Sequence, residues 1–213
     1  MYKANDSLME RAYKKAKGDR AFTLFLGILV LLMITIFVFN RFVYINVRVD
    51  GQSMAPTLNS GDVLFANKNI MPEEGDIIVI DGEKESEDGS GYDWLIKRAI
   101  VIGQKGKTTI VQIIHGRIWV GDSDQTLMLL SEDYLTDGTL TPIGSSGIQR
   151  WEIKEGEIFF LGDNRANSND SRGEYGACKI EQVVGVVEEW CLSARWLSGF
   201  IYDLGHFFAN VGK

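Results

Sequence analysis

The sequence predicts a mostly β domain, of antiparallel barrel-like or sandwich-like architecture, preceded by one transmembrane helix. The first observation behind this prediction is a run of 19 uncharged, largely apolar residues at positions 21–39. The second is a series of short segments beyond it, rich in β-branched and aromatic residues and bounded by Gly, Asp or Asn, with no long helical period among them. At 213 residues, 45% of them apolar, the chain can form one compact domain and an appendage.

The apolar run is long enough to cross a bilayer. As a helix it would extend about 28 Å, close to the thickness of the hydrocarbon core. Residues 1–20 form a basic tail, with six Lys and Arg against three Asp and Glu. The positive-inside rule therefore places this tail in the cytoplasm and residues 40–213 outside it, at the cell membrane. A cleaved signal peptide and a buried globular helix are the alternatives; the length of the run and its F-V-F-N-R-F-V-Y ending favour a permanent anchor.

The charge balance bears on the partners of the chain. The net charge is −7 and the tail contributes +3, so the remaining residues carry −10. Nucleic acid is not an expected partner, because phosphate contacts need clustered Lys and Arg. The lipid bilayer is an expected partner of the anchor. No metal-ligand spacing is present.

Strands are predicted throughout the region beyond the anchor. Segments 62–67, 75–82, 94–102, 156–163 and 182–190 are typical of single strands, and 108–122 of a hairpin that turns near His115 and Gly116. Two stretches are predicted loops: the polar, glycine-rich residues 81–93 between two strands, and residues 121–150. The second loop belongs to a small variable lobe, over roughly residues 105–150, inserted in the main domain.

The C-terminal stretch that begins at Trp190 is apolar but is interrupted by Arg195, Asp203 and His206. These interruptions disfavour a second membrane span. An amphipathic helix, either docked on the domain or lying at the membrane surface, fits the pattern better.

Cys178 and Cys191 are separated by 12 residues. An extracytoplasmic location permits a disulfide between them. The sequence does not fix their geometry, so a disulfide and two free buried thiols are both compatible with it.

A serine lies in a tight, glycine-bounded stretch just after the anchor, D-G-Q-S-M-A-P-T-L-N-S-G-D, where Ser53 is a candidate nucleophile. A serine hydroxyl needs a base to remove its proton, and the usual base is histidine. The chain has only His115 and His206, and neither has an evident carboxylate partner nearby in sequence. A Ser-His-Asp triad is therefore a weak alternative.

Lys97 stands in the middle of the apolar segment W-L-I-K-R-A-I-V-I and is the stronger candidate for the base. An edge-strand lysine that guards against aggregation, or one whose amine reaches water, is the structural alternative. Burial disfavours an ammonium, and lowering its pKa to about 8 would take roughly 3 kcal/mol. Successive side chains of a strand point to opposite faces, so Lys97 can enter a dry site while Arg98 makes an ion pair elsewhere.

A third stretch, residues 161–176, is a polar loop after a strand, L-G-D-N-R-A-N-S-N-D-S-R-G-E-Y-G. A buried amine needs an acceptor that orients it, and a hydroxyl of this loop can serve. Asp163 and Asp170 could pair with Arg98 and Arg172, which would hold the loop rigid without adding charge to the base.

In this order, behind an N-terminal anchor, the three stretches resemble those of the bacterial type I signal peptidases, a family of serine-lysine proteases. The first resembles the family pattern S-M-x-P-T-L-x-x-G-D, matched by Ser53, Met54, Pro56, Thr57, Leu58, Gly61 and Asp62. The Lys-Arg pair is matched by Lys97 and Arg98. The last resembles G-D-N-R-x-x-S-x-D-S-R, matched by Gly162, Asp163, Asn164, Arg165, Ser168, Asp170, Ser171 and Arg172.

This resemblance implies a role for each matched residue. Ser53 would be the nucleophile, Lys97 the general base, and Ser168 the residue that hydrogen-bonds and orients the lysine amine. Structural support of the site would fall to Arg98, Asp163, Asp170 and Arg172. The family fold is a mostly β catalytic domain with an inserted smaller lobe, and its members use no metal or cofactor. They cleave signal peptides from exported preproteins as these emerge across the membrane, near the export machinery, and they favour small side chains just before the cut and two residues earlier.

Two departures from the family pattern concern details of the site. Some relatives carry a serine two residues before the nucleophile, which donates its hydroxyl to the oxyanion; this chain has Gly51 there. The Ser53 backbone N–H is then one expected donor, and the second stays open. After the Lys-Arg pair the chain continues A-I-V-I-G-Q-K-G-K, where members often have a G-L-P-G-D-like turn. The single anchor and the small lobe resemble the Gram-positive members.

Other functions remain as alternatives. A specialised peptidase for a pilin or a few client proteins fits the same residues, because client choice depends on pocket shape. A non-catalytic assembly factor on the same scaffold would be marked by loss of the serine or the lysine, and both are present. Self-cleaving serine-lysine regulators are cytoplasmic and carry a DNA-binding segment, which the apolar run at 21–39 disfavours.

Overall fold

The computed structural model describes the backbone of residues 2–85, 92–144, 147, 149–173 and 175–210. It contains two compact units, Met1–Val43 and Tyr44–Lys213. Each unit is described by itself.

The first unit is one long helix, α1 (Tyr2–Val43). Its part Asp19–Val43 is long and apolar enough to cross a membrane, with a mean hydropathy of 2.9. Large side chains such as Phe22 and Phe37 are 67% and 72% exposed, as suits a helix surrounded by lipid. The predicted helix over 21–39 is confirmed. It extends beyond the apolar run at both ends, and on the N-terminal side the Ala, Lys, Arg and Leu of the tail are good helix formers.

The second unit is built from short strands. In chain order they are β1 (Tyr44–Arg48), β2 (Val63–Asn67), β3 (Ile77–Glu85), β4 (Tyr92–Ile102), β5 (Thr109–Ile114), β6 (Arg117–Gly121), β7 (Met128–Leu129), β8 (Arg150–Ile153), β9 (Glu157–Leu161), β10 (Cys178–Lys179) and β11 (Val183–Val187). Seven of them form one sheet in the order β1-β2-β11-β3-β4-β9-β10, and four form another in the order β7-β6-β5-β8. All paired strands that the structure describes are antiparallel, which confirms the predicted fold class.

The smaller sheet spans Thr109–Ile153, within and just beyond the segment assigned to the lobe from sequence. Its central hairpin turns at His115 and Gly116, which both have positive φ, 49° and 71°. Two consecutive residues with positive φ make a type I′ turn, whose twist matches that of the flanking strands. The predicted hairpin is confirmed.

The predicted loop 81–93 is shorter than expected. β3 continues to Glu85 and β4 begins at Tyr92, with Asp81 opposite Trp94 in the ladder. Ladder hydrogen bonds use backbone groups, so a hairpin can extend through polar residues where its faces are not both covered by protein. The prediction was wrong at these ends because it relied on side-chain polarity. Residues 86–91 lie outside the described residues.

The core joins the two sheets. Ile100 and Phe159 of the large sheet pack with Val111 and Ile118 of the small one. A second cluster lies around β2, whose five residues are all buried, and it includes Met54 and Leu58 from the loop after β1. The candidate nucleophile therefore stands on a loop whose neighbouring residues are anchored in the core.

The C-terminal stretch forms α2 (Glu189–Ser193) and α3 (Arg195–Asn210), which confirms the predicted helix. Its first turns dock on the domain: Ser198 is buried and Ile201 packs against the cluster around β2. On the outer side Trp196 and Phe200 are exposed.

Both cysteines are buried free thiols. Cys178 and Cys191 belong to different core clusters. Burial raises the pKa of Cys178 to about 12 and that of Cys191 to about 11, so both stay protonated near neutral pH. Of the two alternatives left open by the sequence, the structure has the free thiols.

Candidate active site

The loop between β1 and β2 carries Ser53. Its neck is closed by two backbone hydrogen bonds, from Val49 N–H to the Asp62 carbonyl (2.8 Å) and from Gly61 N–H to the Val49 carbonyl (2.9 Å). Gly61 has a φ of 95°, a conformation that favours glycine. The residue after the serine, Met54, is buried. Ser53 is thus half-buried on a loop that is fixed at its neck and at its centre.

Lys97 lies in the middle of β4 and is 4% exposed. Its Nζ is 2.9 Å from Ser53 Oγ and donates a 3.0 Å hydrogen bond to the Ile96 carbonyl. Burial lowers the pKa of Lys97 to about 8, and the negative charge of Asp170 opposes part of that shift. The amine is therefore in contact with the hydroxyl and is neutral in a substantial fraction of molecules in mildly alkaline solution.

Arg98, the next residue of the strand, makes a separate set of contacts. Its guanidinium binds both carboxylate oxygens of Asp163, at 2.8 and 2.6 Å, and donates to the Gly75 carbonyl at 2.7 Å. Both side chains are almost fully buried. This bidentate pair fixes the loop after β9 to β4 without placing a net charge beside the lysine.

Asp170 and Arg172 form the second buried ion pair of the site, with two hydrogen bonds of 2.8 Å. Asp170 also accepts the Gly162 N–H at 3.0 Å. Burial alone would raise the pKa of Asp170, but the hydrogen bonds and charge of Arg172 hold that pKa below its ordinary value. Arg172 also donates to the Arg165 carbonyl at 2.7 Å, so this ion pair is bonded to the first residues of the loop at two points.

Ser168 is the residue whose expected contact is not formed. Its hydroxyl is buried without a partner of good hydrogen-bond geometry among the described residues, although it lies close enough to Asp170 to help keep that carboxyl ionised. Lys97 Nζ is bonded to Ser53 and Ile96 instead. A Cβ added at Gly162 would overlap both Ser168 Oγ and the Ser53 carbonyl oxygen, so the serine is nonetheless next to the nucleophile.

The loop after β9 also holds the backbone of the nucleophile. Asn164 N–H donates to the Ser53 carbonyl at 3.0 Å, and the Asn164 side chain donates to the Gln52 carbonyl at 3.0 Å. Among the described residues, the Ser53 N–H takes no part in the backbone hydrogen bonds of its loop. This N–H is a candidate donor to an oxyanion.

The two histidines are placed differently from the lysine. His115 lies at the tip of the β5–β6 hairpin, and the side chain of His206 is outside the described residues. The group that the structure brings to Ser53 Oγ is Lys97.

The lobe contributes residues that the sequence did not indicate. Glu132 forms a 2.5 Å ion pair with Arg165, which is 2% exposed, and Thr141 Oγ1 accepts a hydrogen bond from Arg165 at 2.8 Å. The Tyr134 ring lies 4.0 Å from the Arg98 guanidinium, and its hydroxyl accepts a hydrogen bond from Arg165 at 3.1 Å. No local pattern marks these residues, because their partners are 24 to 36 positions away. They brace the buried arginines of the site from the side of the lobe.

A mostly antiparallel domain that holds a serine hydroxyl against a buried lysine amine contains a candidate nucleophile and a candidate base, an arrangement typical of serine hydrolases. The family described as "Signal peptidase, peptidase S26" matches residues 21–191. The chain belongs to this signal peptidase family.

Named relatives agree with this assignment. The signal peptidase I of Bacillus caldolyticus is 33% identical over 188 residues, which cover 82% of this chain and 91% of the relative. That of Streptococcus pneumoniae is 28% identical over 193 residues, covering 74% of this chain and 87% of the relative. These Gram-positive sources confirm the resemblance predicted from sequence. A crystal structure of a signal peptidase I from Enterococcus faecalis V583 is 25% identical and covers 55% of this chain and 97% of its own, with a TM-score of 0.37.

Proposed function

We propose that this chain removes signal peptides from exported preproteins, with Ser53 as the nucleophile and Lys97 as the general base. The observation that carries the proposal is the 2.9 Å contact between Lys97 Nζ and Ser53 Oγ inside a buried wall. Membership of the signal peptidase family supports the substrate class. The chain retains both the serine and the lysine, which disfavours the alternative of a non-catalytic assembly factor.

The proposed reaction proceeds through an acyl-enzyme. Neutral Lys97 takes the proton of the Ser53 hydroxyl as Oγ attacks the scissile carbonyl carbon. The lysine ammonium then gives this proton to the departing amine, and the carbonyl carbon stays esterified to the serine. Water attacks the ester with Lys97 again as base, which releases the signal peptide and restores both side chains.

Burial makes this lysine usable as a base. An unperturbed lysine titrates near 10.4 and is almost entirely charged at pH 7. With a pKa of about 8, about one tenth of the Lys97 amines are neutral at pH 7. Desolvation by the apolar wall therefore supplies the neutral amine, whereas the carboxylate of a histidine-based site orients the imidazole and stabilises its charged form.

Ser168 is proposed to orient the lysine amine when substrate is bound. Its hydroxyl is buried beside Gly162 and has no competing partner of good geometry among the described residues. A hydroxyl rotates about its C–O bond at little cost, so it can turn to the amine once the Ser53 proton is being transferred. Arg98, Asp163, Asp170 and Arg172 are proposed to hold this geometry as two ion pairs.

The topology is part of the proposal. The basic tail of residues 1–20 supports an N-terminus in the cytoplasm, and the domain from residue 40 onwards would then face the other side, where preproteins emerge from the export machinery. A lipid bilayer around α1 suits its exposed apolar side chains. In this proposal the catalytic domain lies on the side of the membrane to which exported preproteins are delivered.

One experiment tests the proposal directly. The full-length chain, reconstituted in lipid vesicles, is incubated with a purified preprotein, and the new N-terminus of the product is sequenced. We expect a single cut after a small side chain, abolished by Ser53→Ala and by Lys97→Ala. Processing at the wild-type rate by the purified Lys97→Ala variant would remove the lysine from its assigned role.

A further inference from the structure

Helix α3 lies beyond the segment that matches the signal peptidase family, which ends at residue 191. In this structure it is attached to the strand and loop that carry the nucleophile. Ser198 Oγ donates to the carbonyl of Val63, the first residue of β2, and is buried. A helix outside the matched segment therefore contacts the framework of the candidate active site.

Arg195, the first residue of α3, makes the contact closest to the nucleophile. Its Nη1 donates to the Asp62 carboxylate at 2.8 Å and to the Thr57 carbonyl at 3.3 Å. Its Nε donates to the Leu192 carbonyl at 2.9 Å, which holds the guanidinium in place. One side chain thus bridges two points of the loop that carries Ser53.

The bridged loop is tightly connected to the serine. Asp62 Oδ2, which accepts from Arg195, also accepts the Asn59 N–H at 3.0 Å. Leu58 N–H donates to the carbonyl of Met54, the residue that follows the nucleophile, at 2.9 Å. The loop is also held at the serine itself, by the bond between Asn164 N–H and the Ser53 carbonyl. Arg195 in α3 and Asn164 in the loop after β9 therefore both hydrogen-bond to this loop, although they are far apart in sequence.

We infer that Arg195 is a positioning residue for the cleavage reaction: from the C-terminal helix it fixes the turn Thr57–Asp62 and so keeps Ser53 Oγ against Lys97. The inference rests on the proposed function, because it assumes Ser53 to be the nucleophile. Reacting atoms must be held within a fraction of an ångström, and a displacement of about 1 Å can cost about 100-fold in rate.

A rate effect without a stability effect distinguishes this role from general packing. The Arg195 and Asp62 side chains are 39% and 26% exposed. An ion pair this exposed adds little to the stability of a fold. Removal of Arg195 should therefore slow the reaction much more than it weakens the domain.

The chain offers a matched control in Arg150. This arginine is 37% exposed and pairs with Glu152 at 2.7 Å, but it lies on β8 of the small sheet, away from the nucleophile loop. Arg195→Ala, Arg195→Lys and Arg150→Ala are compared as full-length proteins in lipid vesicles. The measurements are kcat and KM for preprotein processing from pH 6 to 10, and the urea midpoint of unfolding.

For Arg195→Ala we expect a loss of about tenfold in kcat/KM, carried by kcat. The midpoint of its pH profile should stay near the wild-type value, because the pKa of Lys97 is set by burial and by Asp170, neither of which involves Arg195. Arg195→Lys should recover part of the loss, since an ammonium can still reach Asp62, and Arg150→Ala should match the wild type. The urea midpoints of all three should lie near that of the wild type.

The inference is overturned if Arg195→Ala processes the preprotein at the wild-type rate. It is also overturned if the slower rate is accompanied by a clearly lower urea midpoint of unfolding. A failure of the proposed function has a different signature: the Ser53→Ala protein would then process the preprotein as fast as the wild type. The two ideas can therefore fail separately in the same assay.

Discussion

The ring of Tyr134 lies 4.0 Å from the guanidinium carbon of Arg98, and through this stack the lobe contacts the strand that carries the candidate base. Arg98 is at the same time locked onto Asp163 by two hydrogen bonds. A cation over an aromatic face is attracted by the ring quadrupole, and more strongly when water is excluded. The lobe is therefore part of the support of the site, although the sequence presented it as a variable insertion.

This stack predicts a difference between two substitutions of Tyr134. Tyr134→Phe keeps the ring and loses the hydroxyl, which donates to Glu132 at 2.9 Å and accepts from Arg165 at 3.1 Å, so it should cost about 1–2 kcal/mol of stability. Tyr134→Leu also removes the ring from Arg98 and should cost about 2–3 kcal/mol. Urea unfolding of the two variants measures the difference. Equal losses would show that the ring contributes nothing beyond its hydroxyl.

The activity of the wild type should rise with pH through a midpoint of about 8, the pKa to which burial brings Lys97. The base is the neutral amine, and its fraction falls about tenfold for each pH unit below that midpoint. The measurement is kcat/KM for preprotein processing from pH 5 to 10. A rate that is already constant at pH 5 would contradict the assignment of the lysine as base.

Lys97→Met should abolish processing and yet stabilise the domain. The pKa of Lys97 is lowered from 10.5 to about 8 in the folded state, so the unfolded chain binds more protons between these two values and wild-type stability rises with pH across that window. Below pH 8 the buried ammonium destabilises the folded protein by the full amount. A pKa lowered by roughly 2.5 corresponds to about 3 kcal/mol. Lost hydrogen bonds offset part of it, so we expect a gain of about 1–3 kcal/mol at pH 7.

Urea unfolding at pH 7 and at pH 10 tests the predicted direction of this pH dependence. The advantage of Lys97→Met over the wild type should shrink at pH 10, where the wild-type amine is neutral in the folded protein. If Lys97→Met were less stable than the wild type at pH 7, and if its stability relative to the wild type increased with pH, burial of the Lys97 ammonium would not be destabilising.

The elements that the sequence predicted well are those with a buried apolar pattern. β4 and β9 were evident because apolar residues run through them, and the hairpin at His115 because a turn residue pair separates two such runs. β1 and β8 were missed, since Y-I-N-V-R and R-W-E-I are short and half polar. Such strands form because a neighbouring strand offers hydrogen bonds and a core surface, which local sequence does not report.

The candidate site was predictable to a similar degree. Alternation along a strand placed Lys97 and Arg98 in different surroundings, and the structure gives them different partners, Ser53 and Asp163. The contacts of Tyr134 and Arg195 were not predictable, because each joins segments that are distant in sequence and leaves no pattern in either. Long-range contacts of this kind are decided by packing of the whole domain.

Gly162 should not tolerate a side chain. A Cβ at this position would overlap the Ser53 carbonyl oxygen and the Ser168 hydroxyl, so the nucleophile loop would have to move. For Gly162→Ala we expect a loss of about 100-fold in kcat/KM and about 2–3 kcal/mol in stability. Gly199→Ala is the control, because nothing lies within 4 Å of its added Cβ in α3 and alanine favours a helix. Normal processing by Gly162→Ala would mean that the loop accommodates the change.

Ser168 and Ser171 should respond differently to the same substitution. The Ser168 hydroxyl is buried without a partner of good geometry, whereas the Ser171 hydroxyl accepts the Phe160 N–H at 2.9 Å. Ser168→Ala removes a hydroxyl with no partner of good geometry and only a weak interaction with Asp170, so stability should change by less than about 1 kcal/mol, while kcat/KM should fall about 10- to 100-fold through a misoriented amine. Ser171→Ala leaves a buried N–H unpaired and should cost about 1–3 kcal/mol. Undiminished turnover by Ser168→Ala would exclude this serine from the mechanism, and urea unfolding of both variants checks the contrast in stability.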